Sequence, residues 1–374
     1  MRAEKYYVPH EALILTKQNT KDQFNASKIL AAYDTYIKNE NRLVEPWEIE
    51  IHLSGNCSFA CKECSYATRH TGQILAIPEI EAIFSSISKT KTHCIFFSGG
   101  GDPFAWQNWE ELLELREKHI PNIPIGVSTN LFGLPTKMDL NKINFYQIHL
   151  SGYDEASYKE QIGWDAYDIL SGNLSRVCKS NAHVTVKVIL NEFVCNHFCE
   201  FLDFLEQYDI DNVIFKRPQN FLQNEKKESV DYAKVLNSLY THSITKKYGI
   251  VINNLEDLLY YNEINVETCH IVRSGLYCLI RENGDVFPCI ASTYEDKNSI
   301  GNIKKRSLHQ ILADDINWEM YDKNMLCGFC PTKACRHFRF NKVIEMEYDS
   351  DRDYSTGYIP RTSFFPFMST PRAM

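Results

Sequence analysis

Short apolar segments alternate with amphipathic ones between about residue 47 and residue 217. Six of these segments have the length and the Val, Ile or aromatic content of buried strands, and turn residues bound each of them. The predicted strands are Trp47–Ser54, His93–Ser98, Pro124–Thr129, Tyr146–Ser151, His183–Leu190 and Asn212–Lys216. The helical pattern between them predicts helices at Pro78–Ser88, Trp106–Lys118, Lys137–Lys142, Asp165–Lys179 and Cys199–Tyr208.

This alternation of strands and helices predicts a parallel sheet with right-handed crossovers. Six such units fit either a partial (β/α)6 TIM-like barrel or a doubly wound sheet. In both architectures the functional site lies at the carboxyl ends of the strands. The loops that follow the predicted strands are therefore where we expect the chemistry.

The pattern also divides the chain into regions. We expect an N-terminal extension at 1–46, the partial barrel at 47–222, a helical connector at 223–263, a small cysteine-rich α+β domain at 264–345 and a tail at 346–374. Within the small domain, Asn283 and Gly284 lie between two short apolar segments, which predicts a β-hairpin.

Composition narrows the possible partners of this 374-residue chain. Its 40 Lys and Arg residues against 48 Asp and Glu residues give a formal net charge of −8, and no basic block is present. Such a chain is a poor partner for nucleic acid or for an anionic membrane surface. No apolar run approaches the roughly 20 residues that span a bilayer, and the first residues lack an apolar signal core. We expect a cytoplasmic protein.

Cysteine is the residue type that changes the picture, because the chain contains 13 of them. An odd number of thiols in a reducing compartment argues against a disulfide framework. Nine fall into two groups, which are Cys57, Cys61 and Cys64, and then Cys269, Cys278, Cys289, Cys327, Cys330 and Cys335. The other four, Cys94, Cys178, Cys195 and Cys199, have the ordinary explanation that free cysteine is often a small buried hydrophobe.

The first group directly follows the first predicted strand. Three thiolates from one loop can hold three irons of a [4Fe–4S] cluster, which leaves the fourth iron open to bind and activate a small molecule. A zinc site with His70 as the fourth ligand is the alternative, although zinc more often takes two Cys-x₂-Cys pairs.

The spacing Cys57-x₃-Cys61-x₂-Cys64 after the first strand of a six-unit β/α array resembles the radical S-adenosylmethionine (radical SAM) superfamily. The resemblance implies that the open iron chelates the amino and carboxylate groups of SAM. It also implies that one electron cleaves SAM to methionine and a 5′-deoxyadenosyl radical, which removes a hydrogen atom from the substrate. Glu63 departs from the family, which usually has an aromatic residue there.

The turn after the second strand, Gly99, Gly100, Gly101 and Asp102, resembles the family's Gly-Gly-Glu motif. This implies that it holds the SAM amino group, since glycines permit close approach of the backbone and a carboxylate accepts from an ammonium. An ordinary glycine turn is the alternative. Weaker candidates for SAM contacts follow the next strands, where caps and turns are the alternative. They are Ser128, Asn130, His149, Ser151, Lys187 and Asn191.

The C-terminal cysteines, with Gly284 five residues before Cys289, resemble the auxiliary-cluster domain called SPASM or its shorter relative, twitch. The resemblance implies at least one auxiliary [4Fe–4S] cluster. Two full clusters need eight thiols and six are present, so we favour one cluster held by Cys269 or Cys278, by Cys289 and by two of the last three. Two three-cysteine clusters, completed by an open iron or by His270 or His337, are the alternative, as is a zinc ribbon.

The sequence therefore predicts a radical SAM enzyme that oxidises or epimerises a carbohydrate, an aminocyclitol or a nucleoside. Cys195 and Cys199 follow the fifth strand and are candidate hydrogen donors, with Cys94 a weaker one. The reaction implies a reductant protein such as flavodoxin or ferredoxin. The alternatives are a ribosomal-peptide maturase and, from another class, a non-catalytic zinc or iron–sulfur scaffold protein.

Overall fold

The structure is a computed structural model. It describes residues 45–61, 64, 66, 71–90, 92–216, 238, 251–252, 272, 275–294 and 296–314. Within these residues ten strands form a single sheet with the order β10-β9-β8-β1-β2-β3-β4-β5-β6-β7. The strands are β1 Glu48–Ile51, β2 Cys94–Phe97, β3 Ile125–Thr129, β4 Phe145–Leu150, β5 His183–Ile189, β6 Asn212–Lys216, β7 Val251–Ile252, β8 Tyr277–Ile280, β9 Asp285–Phe287 and β10 Gly301–Asn302.

Strands β1 to β7 run parallel, each paired with the next, as the alternation of strands and helices predicts. All six predicted strands are present, and the two ends of the sheet, β10 and β7, are not neighbours in the strand order. The α/β class and the partial-barrel architecture are therefore confirmed.

Seven α-helices are described. They are α1 Ile77–Ile87, α2 Trp109–His119, α3 Glu155–Ile162, α4 Tyr167–Cys178, α5 Glu192–Asn196, α6 Phe198–Leu205 and α7 Leu308–Leu312. The prediction missed α3, which begins at Asp154 with a reciprocal cap between Asp154 and Ser157. It also missed the short α5.

Two predicted helices are corrected. The segment Lys137–Lys142 contains only a 3₁₀ turn at Leu140–Lys142, because Asp139 accepts from the Asn141 amide and caps a short turn there. The helix expected from Trp106 begins at Trp109, since a 3₁₀ turn at Pro103–Ala105 precedes it.

The sheet separates an apolar layer from a polar one. On β1 and just beyond it, Ile49, Ile51 and Leu53 belong to the hydrophobic core. Because successive strand residues point to opposite faces, the alternate residues Glu50 and His52 face the inside of the barrel. Both are fully buried. The barrel interior is therefore polar beside its first strand.

The C-terminal hairpin is built as predicted, with β8 and β9 antiparallel and Gly284 in the left-handed region at φ +88°. Its first strand, however, pairs in parallel with β1, so that Glu48 lies opposite Tyr277 and Ile51 opposite Ile280. The described part of the predicted cysteine-rich region thus extends the barrel sheet. The boundaries proposed for the N-terminal extension, the connector and the tail lie outside the described residues or at their edges.

None of the described helices is long and apolar enough to cross a membrane.

Candidate functional site

The cysteine loop follows β1 and meets the ends of two other strands. The Cys57 Sγ accepts hydrogen bonds from the Phe59 amide at 3.4 Å and from the Asn130 Nδ2 at 3.6 Å. The Cys61 Sγ lies 3.8 Å from the Ser151 Oγ. The carboxyl ends of β1, β3 and β4 therefore converge on this loop, and two of the predicted contact residues, Asn130 and Ser151, touch its sulfurs.

Burial and neighbouring charges shift the pKa of Cys57. Burial raises the pKa of Cys57 to about 12, with further increases from Asp102, Cys61 and Cys64 and an opposing effect of the Phe59 amide. Without a metal this thiol is protonated at neutral pH. Because a metal or cluster binds the thiolate, loading the site must release that proton.

Three aromatic rings cover the cysteine loop on the side of β3. The ring centroids of Phe59 and Phe132 each lie within 5.6 Å of Trp164, and both rings meet its plane nearly edge-on. Phe59 is buried, whereas the other two are partly exposed. The cysteines themselves stay partly exposed, so the loop is open to a ligand on its other side.

The glycine turn after β2 is joined to the cysteine loop through its backbone. The Gly101 amide donates to the Ser54 carbonyl at 2.8 Å, and the Asp102 amide donates to the Asn56 carbonyl at 2.8 Å. A Cβ on Gly101 would collide with the Asn56 backbone, and Gly100 has a φ of +75°. Glycine is required at both positions, so the two motifs form one structural unit.

Asp102 uses its carboxylate within the chain. Its oxygens accept from the Phe104 amide at 2.9 Å, from the Thr129 hydroxyl at 2.9 and 3.0 Å, and from the Asn130 amide at 2.7 Å. Burial raises the pKa of Asp102, and the hydrogen bonds from Asn130, Phe104 and Thr129 oppose that rise. Through these hydrogen bonds Asp102 connects the turn after β2 to the turn after β3.

His149, Ser151 and Lys187 form a second predicted group that the fold brings together. His149 and Lys187 are register partners on β4 and β5, and the His149 Nε2 lies 3.4 Å from the Ser151 Oγ. Burial, with a smaller effect of the Lys187 charge, lowers the pKa of His149 to about 3. The imidazole is therefore neutral at physiological pH. Ser128 lies nearby and donates to the Gln147 Oε1 at 3.3 Å.

The predicted residues after β5 have other surroundings. Asn191 caps α5, where its Oδ1 accepts from the Val194 amide at 2.8 Å, and its Nδ2 donates to Gln161. Cys195 is partly buried against the hydrophobic core, whereas Cys199 is exposed on α6. The role of these two thiols as hydrogen donors stays a prediction.

Only two of the C-terminal cysteines are described. Cys278 lies opposite Ile49 in the parallel ladder and belongs to the apolar core, where burial raises the pKa of its thiol. Cys289 is buried after β9. The remaining candidates, together with residue Glu63, lie outside the described residues. They are His70, Cys269, His270, Cys327, Cys330, Cys335 and His337.

Sequence reasoning missed a buried polar network beside the site. Glu50 accepts from the Ser98 hydroxyl at 2.6 Å, from the Tyr277 hydroxyl at 2.6 Å and from the His52 Nε2 at 3.1 Å. The signal was the alternation of Glu48, Glu50 and His52 with apolar residues along β1. This pattern places ionisable side chains on one face of a buried strand.

The residues present fit a cluster and its ligand. The Cys57 sulfur accepts two N–H hydrogen bonds, of the kind that tunes protein-bound iron–sulfur clusters. The adjoining glycine turn has no side chain from Gly99 to Gly101. Three thiols and a bare backbone are thus available side by side.

Comparisons with known proteins agree with this arrangement. A family model of the iron–sulfur cluster-binding domain SPASM matches residues 269–337. No curated protein matches the sequence.

Among solved structures, SuiB of Streptococcus suis bound to S-adenosylmethionine is similar at a TM-score of 0.62. It is 19% identical, and the match covers 86% of this chain and 78% of that one. The protein anSMEcpe with bound AdoMet is similar at a TM-score of 0.58 and 18% identity, over 79% of this chain and 85% of that one. The fold implied by the resemblance is confirmed: the chain has the radical SAM fold, and its residues 269–337 match the SPASM iron–sulfur cluster-binding domain.

Proposed function

We propose that this protein is a radical SAM enzyme that abstracts a hydrogen atom from its substrate. The observation that carries the proposal is the meeting of the cysteine loop, the glycine turn and the ends of β3 and β4 around Cys57 and Cys61. A [4Fe–4S] cluster with SAM would supply one-electron cleavage of SAM to a 5′-deoxyadenosyl radical. Cys57, Cys61 and Cys64 would hold three of the irons.

The chain's own residues would orient the ligand and exclude water. Gly99 to Gly101 offer backbone groups without side-chain obstruction, and Asp102 keeps this turn fixed to Thr129 and Asn130. His149 is a neutral hydrogen-bonding group because its pKa is low. Ser151 would join this polar wall to the cysteine loop.

We propose that the substrate is a carbohydrate, an aminocyclitol or a nucleoside and that the outcome is oxidation or epimerisation. The inward face of β4 and β5 supports a polar substrate, since Gln147 and Thr185 are register partners there. Both residues are fully buried or nearly so, and the Gln147 Nε2 and the Thr185 Oγ1 are without partners among the described residues. Such groups cost free energy unless a ligand or water satisfies them.

A ribosomal-peptide maturase is the second candidate, and a specific observation favours it. SuiB has been solved with a precursor peptide, SuiA, and anSMEcpe with the peptide Cp18Cys. These two folds are similar to that of the present chain at TM-scores of 0.62 and 0.56. A non-catalytic zinc or iron–sulfur scaffold is the alternative from another class, and it predicts no dependence on SAM.

For the SPASM region we propose one auxiliary [4Fe–4S] cluster. Cys278 and Cys289 both belong to the hydrophobic core, but Cys278 lies within β8 opposite Ile49 of β1, whereas Cys289 follows the end of β9. This difference supports Cys269 over Cys278 as the first ligand. Cys289 and two of Cys327, Cys330 and Cys335 would complete the set. A flavodoxin or a ferredoxin is the proposed electron donor.

Anaerobic reconstitution followed by an iron and sulfide count tests the cofactor assignment. We expect about eight irons per chain for one auxiliary cluster, against about twelve for two. Incubation with SAM and a strong reductant should then yield 5′-deoxyadenosine. Fully iron-loaded protein that produces none would overturn the proposed function.

The substrate class is tested by stimulation of SAM cleavage. Panels of nucleosides, aminocyclitols and short peptides are added in turn, and the 5′-deoxyadenosine formed with each is compared with the background of uncoupled cleavage. Stimulation by the small polar compounds supports the first candidate. Stimulation by peptides alone supports the maturase.

A further inference from the structure

The hairpin between β8 and β9 brings a buried carboxylate, Glu282, to the back of the glycine turn. Glu282 is 1% exposed, and its Oε1 accepts from the Thr71 hydroxyl at 2.9 Å and from the Arg281 guanidinium at 3.2 Å. Arg281 in turn donates to Asp296 at 2.8 Å. Glu282 comes from the region matched by the SPASM model, whereas Thr71 belongs to the segment after the cysteine loop.

The second oxygen of this carboxylate faces the glycine turn. Within the described residues the Glu282 Oε2 has no hydrogen-bond partner. A Cβ built on Gly100 would lie 3.0 Å from that oxygen, 3.3 Å from the Ser54 carbonyl and 3.5 Å from the His52 Nδ1. Any side chain at position 100 would therefore press against the carboxylate.

His52 supports the same turn from β1. Its ring is fully buried, and its Nδ1 is likewise without a partner among the described residues. A Cβ on Gly99 would lie 2.8 Å from the His52 Nε2. Glu282 and His52 therefore lie directly behind Gly99 and Gly100 and leave no room for a side chain at either position.

The environment of Glu282 favours the ionised carboxylate although the side chain is buried. Burial alone would raise the pKa of Glu282. The charges of His52 and Arg281, a hydrogen bond from the residue's own backbone amide and the hydrogen bond from Thr71 outweigh it, so the pKa is lowered. An unpartnered buried carboxylate oxygen costs free energy. The sulfonium of SAM stays positive even when the amino and carboxylate groups bind iron, so a cofactor beside the turn would bring a positive charge towards Glu282.

We propose that Glu282 is a positioning residue of the SAM site: its charge, supplied by the C-terminal hairpin, holds the glycine turn in place and favours the cationic cofactor. The motif suggests that Asp102 contacts the amino group of SAM, but its carboxylate oxygens already accept hydrogen bonds from Phe104, Thr129 and Asn130. In Glu282 the Oε1 is paired with Arg281 and Thr71, whereas the Oε2 beside the turn has no partner among the described residues. This inference rests on the proposed function.

The test measures SAM affinity without reductant, so that no turnover is required. Reconstituted wild-type protein, Glu282→Gln and Glu282→Asp are titrated with SAM, and iron content is checked in each. Gln preserves the shape and Asp preserves the charge. We expect Glu282→Gln to bind SAM about tenfold more weakly, because it removes a buried negative charge on the side of the cation. Glu282→Asp should bind more tightly than Glu282→Gln.

The matched control is Asp285→Asn, the same chemical change on the same hairpin. Asp285 accepts from Asn283 and Asn302, both at 2.7 Å, and so tests whether any loss of hairpin hydrogen bonds weakens binding. Its SAM affinity should equal that of the wild type.

Unchanged affinity in Glu282→Gln, or an affinity of Glu282→Asp below that of Glu282→Gln, would overturn the inference. If Glu282→Gln fails to hold iron, Thr71→Val replaces it. That variant removes the hydroxyl donor to Glu282 together with an exposed acceptor of the Gln73 amide. We expect a several-fold loss of affinity, whereas no loss would count against the role of Glu282. A wild-type protein that holds iron but does not bind SAM would overturn the proposed function itself, and this inference with it.

Discussion

Burial raises the pKa of both Cys57 and Cys278, although Cys57 is partly exposed and Cys278 is fully buried, and the neighbours of the two thiols differ. Cys57 has two N–H donors directed at its sulfur and lies one turn away from bare glycine backbone. Cys278 lies opposite Ile49 on a strand whose four residues are all buried. A raised pKa therefore says only that a thiol is buried, whereas its hydrogen-bond donors indicate whether a cluster can be held there.

The largest expected effect is on iron content, and it tests the difference between Cys57 and Cys278 directly. Cys57→Ser should lose the first cluster, about four irons per chain, because a ligand and its two N–H contacts are disturbed together. Cys278→Ser should keep the full iron content, since we assign Cys278 to the core. Iron and sulfide are counted after identical reconstitution. Loss of iron in Cys278→Ser would show that Cys278 is an auxiliary ligand after all.

The next effect concerns the two turns that frame the cysteine loop. Asp102→Ala removes a buried acceptor from three donors and should lower the free energy of unfolding by about 3–5 kcal/mol. Asp139 is a matched control, because it also begins a 3₁₀ turn but is exposed. Asp139→Ala should cost about 1 kcal/mol. Denaturant unfolding of both variants measures the difference, and equal costs would contradict the role given to Asp102.

A smaller effect is a pH dependence at His149. Its pKa is lowered to about 3 in the folded protein, from an ordinary value of 6.5. The unfolded chain binds a proton below pH 6.5 while the folded one does not, so stability is lost as pH falls from 6.5 towards 3. The slope from this residue is at most about 1.4 kcal/mol per pH unit.

His149→Gln should remove that slope from the unfolding free energy measured between pH 6.5 and pH 4. The same substitution at His309, which is exposed on α7, serves as the control. If the unfolding free energies of His149→Gln and the wild type fall equally between pH 6.5 and pH 4, His149 does not have a lowered pKa in the folded protein.

The smallest effect is expected at the candidate hydrogen donors. Cys195→Ala and Cys199→Ala should both cleave SAM at the wild-type rate, because neither thiol belongs to the cysteine loop. If the reaction is an epimerisation that uses Cys195, only Cys195→Ala should form 5′-deoxyadenosine without releasing epimerised product. Mass spectrometry of cofactor and substrate together decides this, and equal product release by both variants removes Cys195 from the mechanism.

Much of the fold could be predicted because its signals are local. Val184, Val186 and Val188 make β5 recognisable from composition alone, and Asn283 with Gly284 identifies the hairpin. The cysteine loop was placed correctly because it follows a strong strand. In contrast, the parallel pairing of β8 with β1 depends on register between segments more than 200 residues apart, and no local window contains it.

In the site, too, local signals could be predicted and contacts between distant segments could not. Asn130 and Ser151 were candidates because they end strands, and the structure brings both to the cysteine sulfurs. The internal use of Asp102 and the approach of Glu282 could not be predicted, since each depends on partners from distant segments. A motif identifies which residues are present at a strand end but not which of their atoms remain available to a ligand.

The central claim is that the loop of Cys57, Cys61 and Cys64 holds the cluster that cleaves SAM. The most direct measurement is the 5′-deoxyadenosine formed by wild-type protein and by the triple variant with all three cysteines changed to Ala, under reductant and after the same reconstitution. We predict that the wild type forms 5′-deoxyadenosine, while the triple variant keeps its auxiliary iron and forms none. Cleavage of SAM by the triple variant would contradict the account.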